Sequence, residues 1–487
     1  MSIVIVGLGP GHPDQLTREA WRVLSQASEI YARTARHPTL AGLPAGLVVH
    51  SFDDLYESVP QFEQVYAAIA ARVLALGQRP QGVVYAVPGH PAIGEATVGL
   101  IRAEASKIGL PVRVVSGLSF VEPALTALGL DALPDLQIAD ALELAARHHP
   151  PFQPDSPALV AQLYSTVIAG DVKLTLMNQY PDEHQVALVH AAGTPEEQVE
   201  WLPLFELDRS PHIAHLTALY VPALPQSSAF ESLQETVAHL RAPEGCPWDR
   251  EQTHQSLRAN LLEEAYEVLE AIDADDPAAM TEEFGDLLLQ VVLHSQIALE
   301  AGEFTAADII AGLRAKLIRR HPHVFGDVKV RGVGDVLDNW EKLKAAERVQ
   351  APKPNKGTLG TVPRGLPALL QAVTYQRRAG RVGFDWPDIT GVRAKINEEI
   401  LEVESSPAGD AREEEIGDLL FATVNWARWL EVEPETALRR ANEKFARRFT
   451  HMEAAARAQG RPMSDMNLGE LDALWEGSKS AEAAAGS

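Results

Sequence analysis

Apolar and polar positions change rhythm along the chain. SIVIV at the start is followed by a helical pattern over Asp14 to Ser25, GVVYAV by one over Ile93 to Lys107, and VRVVS by one over Leu118 to Leu128. Short β-branched runs, each followed by apolar residues three or four apart, predict an α/β unit with a largely parallel sheet. Beyond Pro134 the pattern loosens, but ALVAQLY, QVALVHA and QVEWLPLF still read as strands and predict a second α/β lobe. After residue 230 the period becomes helical throughout, as in LLEEAYEVLEAI and GDLLLQVVLHSQIAL, and predicts all-α structure.

The change of rhythm coincides with a change of charge. Residues 1–222 hold 23 acidic and 12 basic side chains, and residues 223–487 hold 44 and 30. VPALPQSSA (Val221 to Ala229) has linker composition, as does Ala351 to Gly365, so three domains are expected: 1–222, 230–350 and 366–476. The last residues, GSKSAEAAAGS, lack apolar periodicity and are expected to fray. A net charge of −25 argues against general nucleic-acid binding. No apolar run approaches the roughly 20 residues that span a bilayer, and one cysteine excludes an intrachain disulfide, which together predict a soluble, cytoplasmic protein.

The two helical blocks repeat one another, offset by 135 residues at the core of the repeat. Glu263-Glu264-Ala265-Tyr266-Glu267 returns as Glu398-Glu399-Ile400-Leu401-Glu402, and Glu283-Phe284-Gly285-Asp286 as Glu415-Ile416-Gly417-Asp418. KLIRRHPHVF (Lys316 to Phe325) is echoed by KFARRF (Lys444 to Phe449), and each copy has a later tryptophan, Trp340 and Trp475. Residues three or four apart share a helix face, so Glu264 joins Glu267 and Glu283 joins Asp286. Apolar neighbours would pack the two helices together and collect the acids. Two like charges about 5 Å apart at an effective dielectric near 20 repel by ~3 kcal/mol, so such a cluster calls for a divalent cation.

An all-oxygen donor set favours Mg²⁺ or Mn²⁺ over zinc, and Mg²⁺ commonly shares its shell with phosphate. Lys316/Arg320 and Lys444/Arg448, four apart, would clamp phosphate oxygens. Carboxylates, cation and clamp together suit phosphoanhydride hydrolysis. His321 and His323 read as helix-end structure, and Cys246, Trp248 and Trp386 as packing.

Across positions 230 to 476 these motifs, with GCPWDREQT, RRHPHVFGD, VGFDW and NEKFARRF, resemble a tandem MazG-type nucleoside triphosphate pyrophosphohydrolase. The resemblance implies helical bundles that convert NTPs or dNTPs to the monophosphate and pyrophosphate. It further implies metal binding by Glu399, Glu402, Glu415 and Asp418, with Glu264, Glu267, Glu283 and Asp286 corresponding, and nucleotide contacts from Lys395, Lys444, Arg448 and Trp475. Asn260 stands where the second copy has Lys395, so the second copy is the better candidate for catalysis, with Glu398 or Glu399 as general base and Glu402 beside them. Family members commonly pair, so a homodimer is expected.

Residues 1–222 resemble the tetrapyrrole (corrin/porphyrin) methylases, through Gly7-Leu8-Gly9-Pro10-Gly11-His12-Pro13, Pro88-Gly89-His90-Pro91 and Val115-Ser116-Gly117-Leu118-Ser119. The resemblance implies S-adenosylmethionine near Gly7, Gly9, Gly11, Gly89 and Gly117, although His12 and His90 stand where the family usually has Asp. Two alternatives to pyrophosphohydrolysis stay open: a methyltransferase with the helices serving assembly, and a nucleotide sensor that does not cleave.

Overall fold

The computed structural model describes residues 1–59, 61–336, 339–340, 343, 357–360, 362–363 and 365–485, with side chains as far as 482. Its compact units are Met1–Arg314 and Ala315–Ser487. The second expected linker lies largely outside the described residues.

The first sheet is fully parallel, in the order β3 (Val48–Ser51), β2 (Glu29–Ala32), β4 (Val83–Val87), β1 (Ile3–Gly7), β5 (Val112–Val115). Alternate residues of its central strands face opposite layers, as the two-residue period of a strand requires. Ile3, Ile5, Val83 and Tyr85 pack against Val65, Ile69 and Val73 of helix α2 (Phe62–Gly77) and Ile101 of α3 (Ala96–Lys107). Val6 and Ala86 pack against Ala20 and Leu24 of α1 (Arg18–Gln26). Helix α1 starts four residues later than its pattern suggested: Pro13–Gln15 forms a separate turn, and Thr17 caps the helix by accepting from the Ala20 N–H at 3.1 Å.

After α4 (Val121–Leu128) a second sheet follows, ordered β6 (Gln137–Asp140), β7 (Ala158–Ala161), β10 (Thr217–Val221), β8 (Gln185–His190), β9 (Gln198–Pro203). Only β6 and β7 run parallel. Helix α5 (Thr166–Leu176) buries Ala169, Val172 and Leu176 against it.

Among the described residues no strand follows Val221. Helices α6 (Phe230–Arg241), α7 (Arg258–Ala274), α8 (Pro277–Glu300) and α9 (Ala306–Arg320) carry the first acidic copy. Helices α10 (Ala368–Gly380), α11 (Ile389–Ser405), α12 (Asp410–Trp429), α13 (Pro434–Ala458) and α14 (Leu468–Ala485) carry the second. The α7–α8 turn is written in IDADDP: Asp275 takes the left-handed conformation (φ 52°), Asp276 caps α8 by accepting from Ala278 and Ala279 N–H groups, and Pro277 opens the helix.

Two expectations need correction. The junction Val221 to Ala229 is no free linker, because the Asp155 carboxylate accepts from Ser228 N–H (2.7 Å), Ala229 N–H (3.0 Å) and the Ser232 hydroxyl, closing the start of α6. The chain end is helical to Ala485 rather than frayed from Gly477. Its Ala, Glu and Lys content favours helix, Ser478 is buried, and Glu482 is tied to α13 by an ion pair.

The loops after β1, β4 and β5 meet backbone to backbone. A Cβ on Gly117 would stand 2.4 Å from the Gly89 carbonyl oxygen, and one on Gly7 would stand 2.6 Å from the Gly117 nitrogen. Gly89 has open space around it but a φ of +63°. Gly117→Ala is therefore expected to destabilise the first sheet by about 1–3 kcal/mol or more through overpacking, and Gly89→Ala by only about 1 kcal/mol through its backbone angle. Hydrogen exchange of β1 and β4 amides measures both.

Candidate functional site

In the second copy, a helical turn of about 3.6 residues puts Lys395, Glu398, Glu399 and Glu402 on one side of α11, and α12 supplies Glu415. Glu399, Glu402 and Glu415 offer carboxylate oxygens that all lie within 4.8 Å of one another. The Lys395 ammonium sits among them, 2.8 Å from Glu398, 2.8 Å from Glu399 and 3.9 Å from Glu402. These partners raise its pKa, so it stays charged. The Glu399 side chain is only 4% exposed, and its Oε2 is buried without a hydrogen-bond donor. Burial raises the Glu402 carboxyl, Lys395 opposes that, and Glu399 and Glu415 add to it. Asp418 lies one turn beyond Glu415 and is exposed.

The first copy brings Glu264, Glu267 and Glu283 within the same 4.8 Å. Asp286 is near enough to matter: Glu264 is raised by burial, then by Asp286 and Glu267, and Glu283 by burial, then by Glu267, with Asp286 contributing. Among the described residues no lysine enters, and Asn260 occupies the place that Lys395 has in the second copy. Instead the amide of buried Gln290 hydrogen-bonds Glu264, leaving Gln290 Oε1 without a donor. A neutral amide offsets less charge than an ammonium, so this cluster is the less compensated of the two.

The basic pairs sit on other helices. Lys444 and Arg448 lie on one face of α13, where the Arg448 guanidinium is 5.6 Å from the Trp475 ring centroid and Trp475 packs on Phe445 at 5.4 Å. In the first copy Lys316 is exposed and Arg320 half-buried at the end of α9, followed by His321, whose ring meets Trp340 edge-on at 5.3 Å. His321 also bonds back to the Leu317 carbonyl, which is helix-end structure as expected.

Several positioning residues escaped the sequence reading because their partners are far away in the chain. Arg241 of α6 pairs with Glu300 through two bonds (2.9 and 2.7 Å) and holds the Asp249 and Gln252 carbonyls, fixing the GCPWDREQT loop ahead of α7. Arg428 of α12 pairs with Asp385 of the VGFDW segment at 2.5 Å. Cys246 stands at the start of the short helix Pro247–Glu251, a helix terminus its surroundings in sequence had not suggested.

In the α/β half, the five glycines have different surroundings. Gly7 and Gly117 are packed against each other, Gly9 pairs with Gly89 through two backbone bonds, and Gly11 lies against Thr194 and Leu216. Gly89 alone of the five lines a cavity of about 500 Å³ between the two sheets, with Pro10, His90, Arg33, Tyr56, Tyr66 and Tyr164 among its walls. Arg33 is paired there with buried Glu95 at 2.9 Å. His12 and His90 do the work of an aspartate cap: their Nδ1 atoms accept from the Asp14 N–H (3.2 Å) and the Ala92 N–H (3.0 Å).

An α/β lobe with a glycine-packed first loop, followed by duplicated acidic helix pairs, defines a two-part enzyme architecture. The family model "Tetrapyrrole (Corrin/Porphyrin) Methylases" matches residues 2–208, and "MazG nucleotide pyrophosphohydrolase domain" matches residues 252–325. The chain is 42% identical to the uncharacterized protein YabN of Bacillus subtilis (strain 168), over 99% of each. It is 47% identical to the nucleoside triphosphate pyrophosphohydrolase/pyrophosphatase MazG of Thermotoga maritima over 51% of this chain and 95% of that one. The nucleoside triphosphate pyrophosphohydrolase of Escherichia coli (strain K12) matches at 45%, over 50% and 95%. The chain belongs to the MazG nucleoside triphosphate pyrophosphohydrolase family, with a tetrapyrrole methylase domain at its N-terminus. No described helix is long and apolar enough to cross a membrane.

His37, also in the cavity wall, yields a pH prediction. Burial, then the Arg33 charge, lowers its pKa to about 4. The folded state refuses a proton that the unfolded imidazole accepts near 6.5, so its contribution to stability is present above about 6.5 and is lost as pH falls toward 4. The loss is expected to reach roughly 3 kcal/mol, and His37→Gln should flatten the slope in urea unfolding of the first sheet, followed by hydrogen exchange from pH 7 to 4.

Proposed function

We propose that this chain hydrolyses NTPs or dNTPs to the monophosphate and pyrophosphate, and that the second copy carries the reaction. The supporting observation is the convergence of Glu399, Glu402 and Glu415, of which Glu399 carries a buried carboxylate oxygen that has no donor. Such an oxygen, in an all-carboxylate set, fits a hard divalent cation, Mg²⁺ or Mn²⁺, with Asp418 on the same helix face as a further ligand. Glu264, Glu267, Glu283 and Asp286 fit one in the first copy. When bound, the ion supplies Lewis acidity and charge neutralisation for the phosphates. The domain limits 1–222, 230–350 and 366–476 follow the repeat and belong to the same proposal.

The residues themselves divide the work. Lys395, held charged by its neighbours, offers its ammonium to the phosphates beside the carboxylates. A water attacks the α-phosphorus, and the bond to the bridging oxygen breaks as the new P–O bond forms. The water's proton passes to Glu398 or Glu399, and pyrophosphate leaves on basic side chains such as Lys444 and Arg448. Trp475 would stack on the base or ribose. Nucleotide-pool housekeeping in the cytoplasm is the setting this chemistry suits.

A homodimer is part of this reading. Ile400 and Leu401 of α11 and Ile416, Leu420 and Phe421 of α12 are all exposed large apolar side chains, and an apolar surface of that kind is ordinarily covered. Mass in solution by light scattering measures it, and a monomer would overturn it.

The cavity between the two sheets supports a second reading, for the α/β half alone. The open space at Gly89 and the aromatic wall of Tyr56 and Tyr66 fit S-adenosylmethionine, which would supply an activated methyl group when bound. Calorimetry with S-adenosylmethionine tests it.

Pyrophosphate release from an NTP and dNTP panel is expected with Mg²⁺ and to cease with EDTA. Glu402→Ala should lower kcat at least about 100-fold, whereas Glu267→Ala should keep most activity. The reverse pattern would move catalysis to the first copy. Lys395→Met is expected to raise KM and lower kcat by about tenfold or more through loss of its charge-assisted bonds, measured by steady-state kinetics.

A further inference from the structure

Helix α14 continues past Trp475 and carries Glu482 seven residues on, two turns away on the same face. There Arg448 Nε donates to Glu482 Oε2 at 2.8 Å, and Arg447 stands 3.7 Å from Oε1. Lys444 adds to the positive field, and together these cations hold the Glu482 carboxyl below its ordinary range, Arg448 first among them. Oε1 is buried with no hydrogen-bond donor, so Arg448 supplies the hydrogen bond to this carboxylate and Arg447 adds only a longer-range attraction. The Arg448 guanidinium meanwhile lies over the Trp475 ring, and its side chain is 19% exposed.

A guanidinium, an ammonium and an aromatic face side by side form an anion subsite next to a base-stacking surface. In this chain the anion position is taken by a carboxylate from the terminal helix. The grip is a single hydrogen bond, through Nε, and a phosphate engaging the guanidinium fork through two oxygens would be held more strongly. The contest therefore depends on the incoming charge: a triphosphate with several negative charges can displace one carboxylate, and a monophosphate does so less well.

We propose that Glu482 is a built-in competitor for the phosphate clamp, holding Arg448 when no nucleotide is bound, yielding it to a triphosphate and reclaiming it as pyrophosphate leaves. The inference rests on reading Lys444 and Arg448 as that clamp. Its consequence is discrimination by phosphate number without any contact to the base.

Inorganic tripolyphosphate and pyrophosphate, titrated calorimetrically into the full chain with Mg²⁺, test the contest free of base recognition. Glu482→Gln should bind both about three- to tenfold more tightly than the unaltered chain, with the larger gain for pyrophosphate. In turnover it should lower KM and strengthen product inhibition by pyrophosphate, with kcat changed less than KM. Arg448→Ala should bind both anions more weakly, and adding Glu482→Gln to it should change nothing further. Weakened or unchanged binding in Glu482→Gln, with Arg448→Ala still impaired, overturns the competitor. Unchanged binding in Arg448→Ala overturns the clamp reading itself. Glu482→Ala, read by helicity and by the same titration, separates competition from a packing role, since loss of packing would weaken binding and competition would strengthen it.

Discussion

Repulsion among carboxylates that packed helices force together governs the helical half. The helices of each pair, α7 with α8 and α11 with α12, are packed along each other, so the acids cannot move apart to relieve it. At an effective dielectric near 20 each close pair costs a few kcal/mol, more than a surface ion pair returns. The copies answer differently. The second inserts the Lys395 ammonium among its acids. The first has the neutral Asn260 and Gln290, and there burial and the neighbouring carboxylates raise the Glu264 and Glu283 carboxyls. The copy that already contains a cation has the charge suited to meet phosphate, and the other leans harder on whatever cation it binds.

The same half shows how far a sequence can be read. Helix spacing and duplication were enough to place Glu399, Glu402 and Glu415 in one cluster, because residues three and four apart must share a face and the apolar stripe dictates which faces meet. Spacing did not reveal Gln290, Arg241, Arg428 or Glu482, whose roles depend on partners tens of residues away. The chain end was misjudged for a related reason: a short Ala-rich tail has no apolar stripe, yet one ion pair and one buried serine suffice to dock it. In the α/β half the strand runs of the first sheet were legible from β-branched residues. Strands β2 and β3 were not, being four residues each, with β3 at the sheet's edge and largely exposed.

Local chemistry also explains departures that family patterns leave unexplained. Histidine can replace aspartate at positions 12 and 90 because the position asks for an acceptor two residues before an N–H, and an imidazole Nδ1 supplies one. The glycines of the three loops likewise answer first to one another. Gly7, Gly89 and Gly117 allow β1, β4 and β5 to end close together, and the cavity opens where Gly89 turns away from that contact.

Asp155 changes how the molecule could be taken apart. Its carboxylate belongs to the segment before β7 but serves as the missing cap of α6, and α6 in turn carries the arginine that pins the loop leading to the first acidic helix. A cut at residue 222 would leave three donors at the head of α6 facing water, at a cost of about 1 kcal/mol or more for a lost cap. The chain is jointed there as a beam is jointed to a post, so a fragment beginning at the helices inherits a loosened first strut.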